Sequence, residues 1–194
     1  MHIKRRELLF AGLSSAALGL MTEPAMAIAA PTDQPTLDLW PGNRAPGGPG
    51  PKEAEKVSAK GSVTQVSRPR LVVYRPERPN GTAMLVIAGG GYAHIERGTE
   101  STPACLWLQS QGVTAFELVY RLPGEHWPAV APLQDGQRAM RVIRASAQEF
   151  GLDTGHIGVM GFSAGGHLAG ITAATPGVAP VSYTHLRAHE TRED

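Results

Sequence analysis

One serine, Ser163, lies between two glycines and constrains the fold of this chain more than any other feature. The segment Gly161-Phe162-Ser163-Ala164-Gly165-Gly166 has the pattern G-x-S-x-G, follows an apolar run from Ile157 to Met160 and precedes a helix-like run. A serine in this pattern lies on a sharp, strained turn between a strand and a helix, where small residues are needed two positions away on either side. The pattern therefore predicts that Ser163 is presented at the top of a sheet, at the start of a helix.

A serine held in this way is a candidate nucleophile. Negative charge that develops during its reaction would face the Ala164 backbone N–H and the N-terminus of the following helix. The acid and the histidine that serve such a serine normally follow it in the chain. Only 31 residues follow Ser163, and His94, His126 and His156 precede it. His167 is too close along the same helix start to act as the base.

Two nucleotide-binding interpretations of the glycines can be rejected. Gly161 and Gly166 have the spacing of a phosphate-binding loop, but His167 and Leu168 stand where that loop needs Lys and then Ser or Thr. A dinucleotide-binding loop after the strand candidate at Met84 to Ala88 would need glycine where His94 stands. Neither pattern predicts a nucleotide site.

The earlier glycines, Gly89-Gly90-Gly91, suit a different role. In acyl transfer, one oxyanion donor comes from a glycine-rich loop after a strand, where backbone N–H groups can reach the substrate oxygen. The alternative is a simple glycine turn that ends a buried strand. The distance of about 70 residues to the serine turn fits one helix-strand-helix stretch by ordinary element lengths and favours the functional interpretation.

Strand-like and helix-like segments alternate along the chain, which predicts an α/β fold with a mostly parallel sheet and helices on both faces. The predicted strands are Ser62 to Ser67, Leu71 to Tyr74, Met84 to Ala88, Val113 to Val119 and Ile157 to Met160.

The strongest helix prediction runs from Leu133 to Phe150, with one apolar face, and Gly151 stops it. We expect Asp135 to cap the start of this helix, where the dipole favours a carboxylate. Three arginines on the opposite side are predicted to face solvent: Arg138, Arg141 and Arg144.

Five segments together resemble a known family. They are Leu39-Trp40-Pro41-Gly42 with Pro46-Gly47, Gly89-Gly90-Gly91-Tyr92, Tyr120-Arg121-Leu122-Pro123, Pro132-Leu133-Gln134-Asp135, and the stretch from Gly158 to Leu168. They resemble the secreted esterase branch of the α/β-hydrolases, which includes acetylxylan-esterase-like and feruloyl-esterase-like carbohydrate esterases and proteins often labelled xylanase. The resemblance covers most of the chain from Leu39 to Ala174.

The resemblance implies an α/β-hydrolase fold and a serine esterase without metal or organic cofactor, acting on a small ester or an acylated plant polysaccharide. It implies Ser163 as nucleophile and Gly90, Gly91 and Ala164 as oxyanion donors. Substrate-side positions would be Tyr92, His126, Trp127 and His167. Ala88 departs from the histidine of lipase-type relatives, which leaves the choice among Gly90, Gly91 and Tyr92 open.

The net charge of the chain and the pattern of its first 29 residues indicate which partners and which cellular location to expect. The net charge of +1, with 18% charged residues, argues against nucleic acid as a partner. Residues 1–29 are predicted to be an export signal, with Lys4-Arg5-Arg6 before an apolar segment from Leu8 to Met21. The signal resembles a twin-arginine signal, the alternative being an ordinary secretory one. Its apolar core is shorter than the roughly 20 residues that span a membrane, so we expect a periplasmic or extracellular protein without stable membrane association.

Residues 30–60 are predicted to form an arm rich in Pro and Gly that wraps the surface of the domain. We expect no strand in its segment from Pro31 to Pro51. Trp40 either pins this arm to the body or lines the mouth of the site. The only cysteine, Cys105, is predicted to pack in a helix face rather than to react.

Residues 61–180 form the predicted partial α/β-hydrolase domain, whereas residues 181–194 look foreign to it. We expect the polar groups of that tail to be accidental: His185, His189, Glu190 and Asp194. The catalytic acid and base are then absent, the strand from Ile157 to Met160 becomes an open edge, and the 194-residue product should aggregate. Two alternatives remain: a peptidase of the prolyl-oligopeptidase type, and a noncatalytic fragment or carbohydrate-binding remnant.

Overall fold

The computed structural model describes residues 34–175. The predicted export signal and the tail from 181 to 194, with its histidines and carboxylates, lie outside the described residues. The strands are β1 Thr36–Asp38, β2 Lys56–Val57, β3 Ser62–Thr64, β4 Arg70–Tyr74, β5 Ala83–Ile87, β6 Ile95–Glu96, β7 Thr114–Val119 and β8 Ile157–Gly161. The α-helices are α1 Thr102–Ser110, α2 Ala131–Ala145, α3 Ala147–Phe150 and α4 Ala164–Ala174.

The central sheet contains five strands in the order β1-β4-β7-β5-β8. Strands β7, β5 and β8 are parallel, and β4 runs antiparallel to both of its neighbours, β1 and β7. Only β4 therefore opposes the common direction. The chain crosses from β5 to β7 through α1 and from β7 back past β5 to β8 through α2. Because such crossovers are right-handed, these two helices cover opposite faces.

The core strands are buried because the sheet is covered on both sides. All six residues of β7 are buried, and the β5 side chains Leu85, Val86 and Ile87 are fully covered. Near-continuous apolar runs of this kind are typical of parallel strands between two helical layers. The predicted α/β fold with a mostly parallel sheet is confirmed.

The predicted strand bounds hold within one or two residues for β4, β5, β7 and β8, but not for the strand from Ser62 to Ser67. That segment ends at Thr64 and belongs to a second, three-stranded antiparallel sheet, β2-β3-β6. Gln65 has a φ of 59°, which ends the extended conformation. The N–H groups of Gln65 and Val66 donate to the Glu125 carboxylate at 2.7 and 3.1 Å.

The long predicted helix is interrupted. It begins at Ala131, breaks at Ser146 and resumes as α3. Gly151 ends it in the left-handed conformation at φ 67°, as the sequence predicts. Arg144 is exposed, whereas Arg138 is half-buried because its guanidinium donates to the Leu39 carbonyl at 2.7 Å.

The arm corrects one prediction and decides between two alternatives for Trp40. Thr36–Asp38 pairs with β4 as an edge strand, so the expectation of an arm without a strand is wrong. Trp40 is 4% exposed, and its indole N–H donates to Asp135 at 2.8 Å. Trp40 therefore pins the arm to the body.

Asp135 does not cap α2, and that prediction is also wrong. The helix begins four residues earlier at Ala131, and Asp135 is fully buried. Its carboxylate receives the Arg121 guanidinium at 2.8 Å and the Arg121 backbone N–H at 2.8 Å. Arg121 also donates to the Pro46 carbonyl of the arm. Burial raises the pKa of Asp135, while Arg121 and Trp40 oppose that rise by hydrogen bonding.

Within residues 34–175, no helix is both long enough and apolar enough to cross a membrane.

Candidate active site

Ser163 occupies the sharp turn between β8 and α4. Its φ of 46° and ψ of −120° lie in a region that residues other than glycine rarely adopt, and its side chain is exposed. A Cβ on Gly161 would overlap the Gly165 carbonyl, and one on Gly165 would overlap the Ile87 and Ala88 carbonyls. The two glycines thus permit the strained backbone that presents the hydroxyl, as the sequence pattern predicts.

The glycine loop after β5 lies directly beside this turn. The β5–β8 register pairs Ile87 with Gly161, and the Phe162 N–H donates to the Ile87 carbonyl at 3.0 Å. Both strands therefore end at the same level of the sheet. A Cβ on Gly89 would lie 2.9 Å from the Ser163 Cβ. Residues 74 positions apart in sequence are in contact here.

Three successive residues of the glycine loop have a positive φ. Gly90 and Gly91 have φ values of 111° and 62°, and Tyr92 has a φ of 62°. Their carbonyl and amide groups form a tight turn in which Gly90 accepts from the Ala93 N–H at 3.0 Å. The N–H groups of Gly90, Gly91, Tyr92 and Ala164 donate to no other group of residues 34–175. Unused donors beside a candidate nucleophile are what an oxyanion hole requires.

Tyr92 and His167 meet at the mouth of the site. The Tyr92 hydroxyl and His167 Nδ1 are 2.9 Å apart, and the two rings pack edge to face at 6.1 Å. His167 is exposed on the first turn of α4, and burial raises the pKa of the Tyr92 hydroxyl. The structure therefore brings these two predicted substrate-side residues together with Ser163.

His126 and Trp127 lie in a separate segment, before α2. His126 is exposed, with a φ of 61°. Trp127 is only 7% exposed; its indole N–H donates to the Val66 carbonyl at 2.9 Å, and its ring lies 5.1 Å from the Arg121 guanidinium. These Trp127 contacts are structural, and a substrate role for either residue stays a prediction.

Two His–carboxylate pairs occur in the described part of the chain: His94 with Glu96, 3.2 Å apart after the glycine loop, and His156 with Asp153 at the opposite end of the sheet from Ser163. His156 Nδ1 and Asp153 Oδ2 are 2.7 Å apart. They precede β8 whereas Ser163 follows it, and five strand residues separate the ends by about 16 Å at 3.3 Å per residue. The His156–Asp153 pair cannot serve Ser163, so the prediction that the base lies elsewhere stands untested.

Glu100 is a residue near the site that the sequence did not reveal. Its carboxylate accepts the Gly89 N–H at 2.6 Å. It belongs to a one-turn π-helix, Arg97–Ser101, that leads into α1. The polar composition of that turn is typical of a surface loop, so only the folded structure identifies the contact.

Among residues 34–175, no group of three or more His, Cys, Asp or Glu side chains could hold a metal ion.

Comparison with known proteins supports an esterase relationship. The family model described as BD-FAE matches residues 71–190, which is more than half of the chain. The chain is 36% identical over 110 residues to the acetylxylan esterase of Xylanibacter ruminicola, covering 57% of this chain and 22% of that protein. It is 37% identical over 92 residues to endo-1,4-beta-xylanase B of Butyrivibrio fibrisolvens, covering 46% of this chain and 14% of that protein.

A solved structure extends the likeness to the fold. The acetyl ester-xyloside bifunctional hydrolase from Caldicellulosiruptor lactoaceticus has a TM-score of 0.52 and 34% identity, covering 70% of this chain and 45% of that one. The predicted resemblance to α/β-hydrolase esterases is confirmed. The chain spans less than half the length of each of these three proteins.

Proposed function

The chain belongs to the BD-FAE family, and on that premise we propose that it carries the nucleophile and the oxyanion hole of a carboxylic ester hydrolase. Ser163 is the nucleophile in this proposal. The observation that carries it is the strained turn at Ser163, which lies against a glycine loop in which the Gly90 and Gly91 N–H groups have no acceptor within residues 34–175.

The proposed reaction is two-step acyl transfer. Ser163 Oγ attacks the ester carbonyl carbon and loses its proton to a histidine outside the described residues. The bond between the acyl carbon and the alcohol oxygen breaks, and the alcohol leaves with that proton. Water then attacks the acyl-enzyme, which releases the acid and restores the serine.

Negative charge on the carbonyl oxygen is greatest in the tetrahedral intermediates. The N–H groups of Ala164 and of the glycine loop, at Gly90 and Gly91, are proposed to stabilise it. Each donor of this kind contributes about 3 to 4 kcal/mol to transition-state stabilisation. The N-terminus of the eleven-residue helix α4 adds a favourable field at the same point.

The substrate class is proposed to be acetyl or related esters on plant polysaccharides. The named activities of the acetylxylan esterase and the acetyl ester-xyloside hydrolase support this class. In this proposal Tyr92 and His167 contact the substrate.

The first experiment labels the full-length gene product with a fluorophosphonate, followed by peptide mass spectrometry. We expect the label on Ser163 and none on the Ser163→Ala variant. Ser110→Ala is a matched control, because Ser110 is also exposed but lies at the end of α1, where its hydroxyl donates to the Trp107 carbonyl and accepts from the Gln111 side chain. An unlabelled Ser163 in a folded protein would favour a noncatalytic role.

The second experiment measures substrates. We expect release of acetate from acetylated xylan and hydrolysis of p-nitrophenyl acetate, both lost in Ser163→Ala. Cleavage of proline-containing peptides without acetate release would instead indicate a peptidase of the prolyl-oligopeptidase type.

Export is a separate proposal, supported only by the basic and apolar pattern of residues 1–29. Cell fractionation tests it, with replacement of Arg5 and Arg6 by Lys distinguishing the twin-arginine route from the ordinary one. Full export of the double-Lys variant would argue against the twin-arginine route.

A further inference from the structure

The Glu100 carboxylate makes a short hydrogen bond to the first N–H of the glycine loop. The donor and acceptor atoms are 2.6 Å apart, and Gly89 itself is buried. Hydrogen bonds to an ionised acceptor are shorter and about twice as strong as neutral ones. Gly89 follows the last residue of β5 by two positions, so this bond acts where the chain leaves the sheet and the loop begins.

Three groups crowd the same side of Gly89. A Cβ placed there would lie 2.7 Å from the Phe162 carbonyl oxygen, 2.9 Å from the Ser163 Cβ and 3.1 Å from Glu100 Oε2. The Glu100 carboxylate therefore lies in the same small region as the nucleophile, on the inner side of the loop.

Glu100 is itself held by a buried polar cluster. The neighbouring Glu117 carboxylate, fully buried in β7, accepts the Ser101 hydroxyl at 2.6 Å, the Thr102 hydroxyl at 2.8 Å and the Arg97 guanidinium at 2.7 Å. These three donors belong to the π-helix that contains Glu100 and to the first residue of α1. Single π-turns are common at functional sites, and this one is fixed at both ends of Arg97–Ser101.

We propose that Glu100 is a positioning residue that orients the oxyanion hole through its hydrogen bond to the Gly89 N–H. The inference rests on the proposed ester hydrolase function. With the Gly89 peptide plane fixed, the N–H groups of Gly90 and Gly91 point toward the oxygen that develops charge at Ser163. The Glu100 carboxylate does not touch the reacting atoms.

Three substitutions separate the hydrogen bond from the charge. Glu100→Gln keeps an acceptor oxygen at the same reach and removes the charge. Glu100→Asp keeps the charge and withdraws the acceptor by one methylene, and Glu100→Ala removes both. Glu96→Ala is the matched control, because the Glu96 carboxylate four residues earlier accepts from Ser62 and Thr99 and pairs with His94, but does not accept the Gly89 N–H.

The experiment measures kcat and KM for p-nitrophenyl acetate with the full-length gene product. We expect kcat to fall about 10- to 100-fold in Glu100→Ala and Glu100→Asp, because a misdirected oxyanion hole weakens transition-state binding. We expect KM to stay within about threefold, because ground-state binding does not use the oxyanion donors. Glu100→Gln should retain kcat within about threefold, and Glu96→Ala should match the wild-type protein.

The set of variants can also overturn the inference. Wild-type kcat in Glu100→Asp or Glu100→Ala would show that the bond does not position the loop. An equal loss of kcat in Glu96→Ala would indicate general loosening of the segment instead. Urea unfolding by circular dichroism checks that each variant folds, and Glu100→Asp, which keeps the charge, keeps the test decisive if Glu100→Ala unfolds. A fluorophosphonate label on wild-type Ser163 separates failure of this inference from failure of the proposed function.

Discussion

Truncation of Trp40 should destabilise the protein far more than truncation of an exposed tryptophan. The Trp40 side chain is 4% exposed, and its ring lies 5.4 Å from the Arg121 guanidinium and 5.8 Å from that of Arg138. Its N–H is also one of the donors to the buried Asp135 carboxylate, at 2.8 Å. The substitution therefore creates a cavity and removes a donor from a buried charge.

The structure allows the two effects to be separated. Trp40→Ala should cost about 3 to 5 kcal/mol of unfolding free energy, the range for large aromatic truncations in cores. Trp40→Phe keeps a ring in place and loses the donor to Asp135, which should cost about 1 to 3 kcal/mol. Trp107 is 63% exposed, so Trp107→Ala should change stability by no more than about 0.5 kcal/mol.

Urea unfolding followed by far-ultraviolet circular dichroism measures these differences without relying on tryptophan fluorescence. With a slope of about 2 kcal/mol per molar urea, Trp40→Ala should lower the midpoint by about 2 M. The urea midpoint of Trp40→Phe should lie between the midpoints of Trp40→Ala and the wild-type protein. If Trp40→Ala moved the midpoint no further than Trp107→Ala does, the conclusion that Trp40 pins the arm to the body would be refuted.

Three further predictions follow from the contacts. Gly165→Ala should abolish fluorophosphonate labelling of the serine, because the new Cβ would overlap backbone carbonyls, whereas Gly170→Ala, with open space around it, should keep labelling intact. The Cys105 thiol should resist iodoacetamide at pH 8 until urea unfolds the protein, because burial strongly raises its pKa; labelling of the folded protein would contradict this. The pKa of Glu96 is held below its ordinary value, first by the hydrogen bond from Ser62. The ionised Glu96 therefore stabilises the fold at every pH above its pKa in the unfolded chain. This contribution is lost as the pH falls through the lower pKa of Glu96 in the folded protein. Ser62→Ala should therefore raise the Glu96 pKa in an NMR titration and reduce the loss of stability in acid.

The sequence predicts the elements whose signal is local. Strands β5 and β7 are runs of apolar residues long enough to identify a buried parallel strand, and the glycine spacing around Ser163 admits one local geometry. The glycine stop at Gly151 is likewise a property of a single residue and its neighbours. These parts needed no knowledge of distant contacts.

The missed features depend on partners that are remote in sequence. Strand β1 has only three residues and exists because it pairs with β4. In the sequence, Asp135 resembles a carboxylate that caps the start of a helix. Its actual role depends on a hydrogen bond from the Trp40 indole N–H, and Trp40 is 95 positions away. Glu100 lies in a polar turn, and its contact with Gly89 exists only in the folded chain, where the adjacent Ser101 donates to Glu117. No local pattern could identify these three roles.

The register of two strands explains how separate segments form one site. A non-glycine residue at the φ of Ser163 costs about 1 to 3 kcal/mol and persists only if its surroundings hold it. The pairing of Ile87 with Gly161, with the Phe162 N–H bonded to the Ile87 carbonyl, holds the turn from the β5 side. The same pairing makes the glycine loop and the serine turn leave the sheet at one level. A shift of that register by one residue would separate the donors from the nucleophile and release the strain, so the β5–β8 pairing is as necessary to the proposed chemistry as the serine.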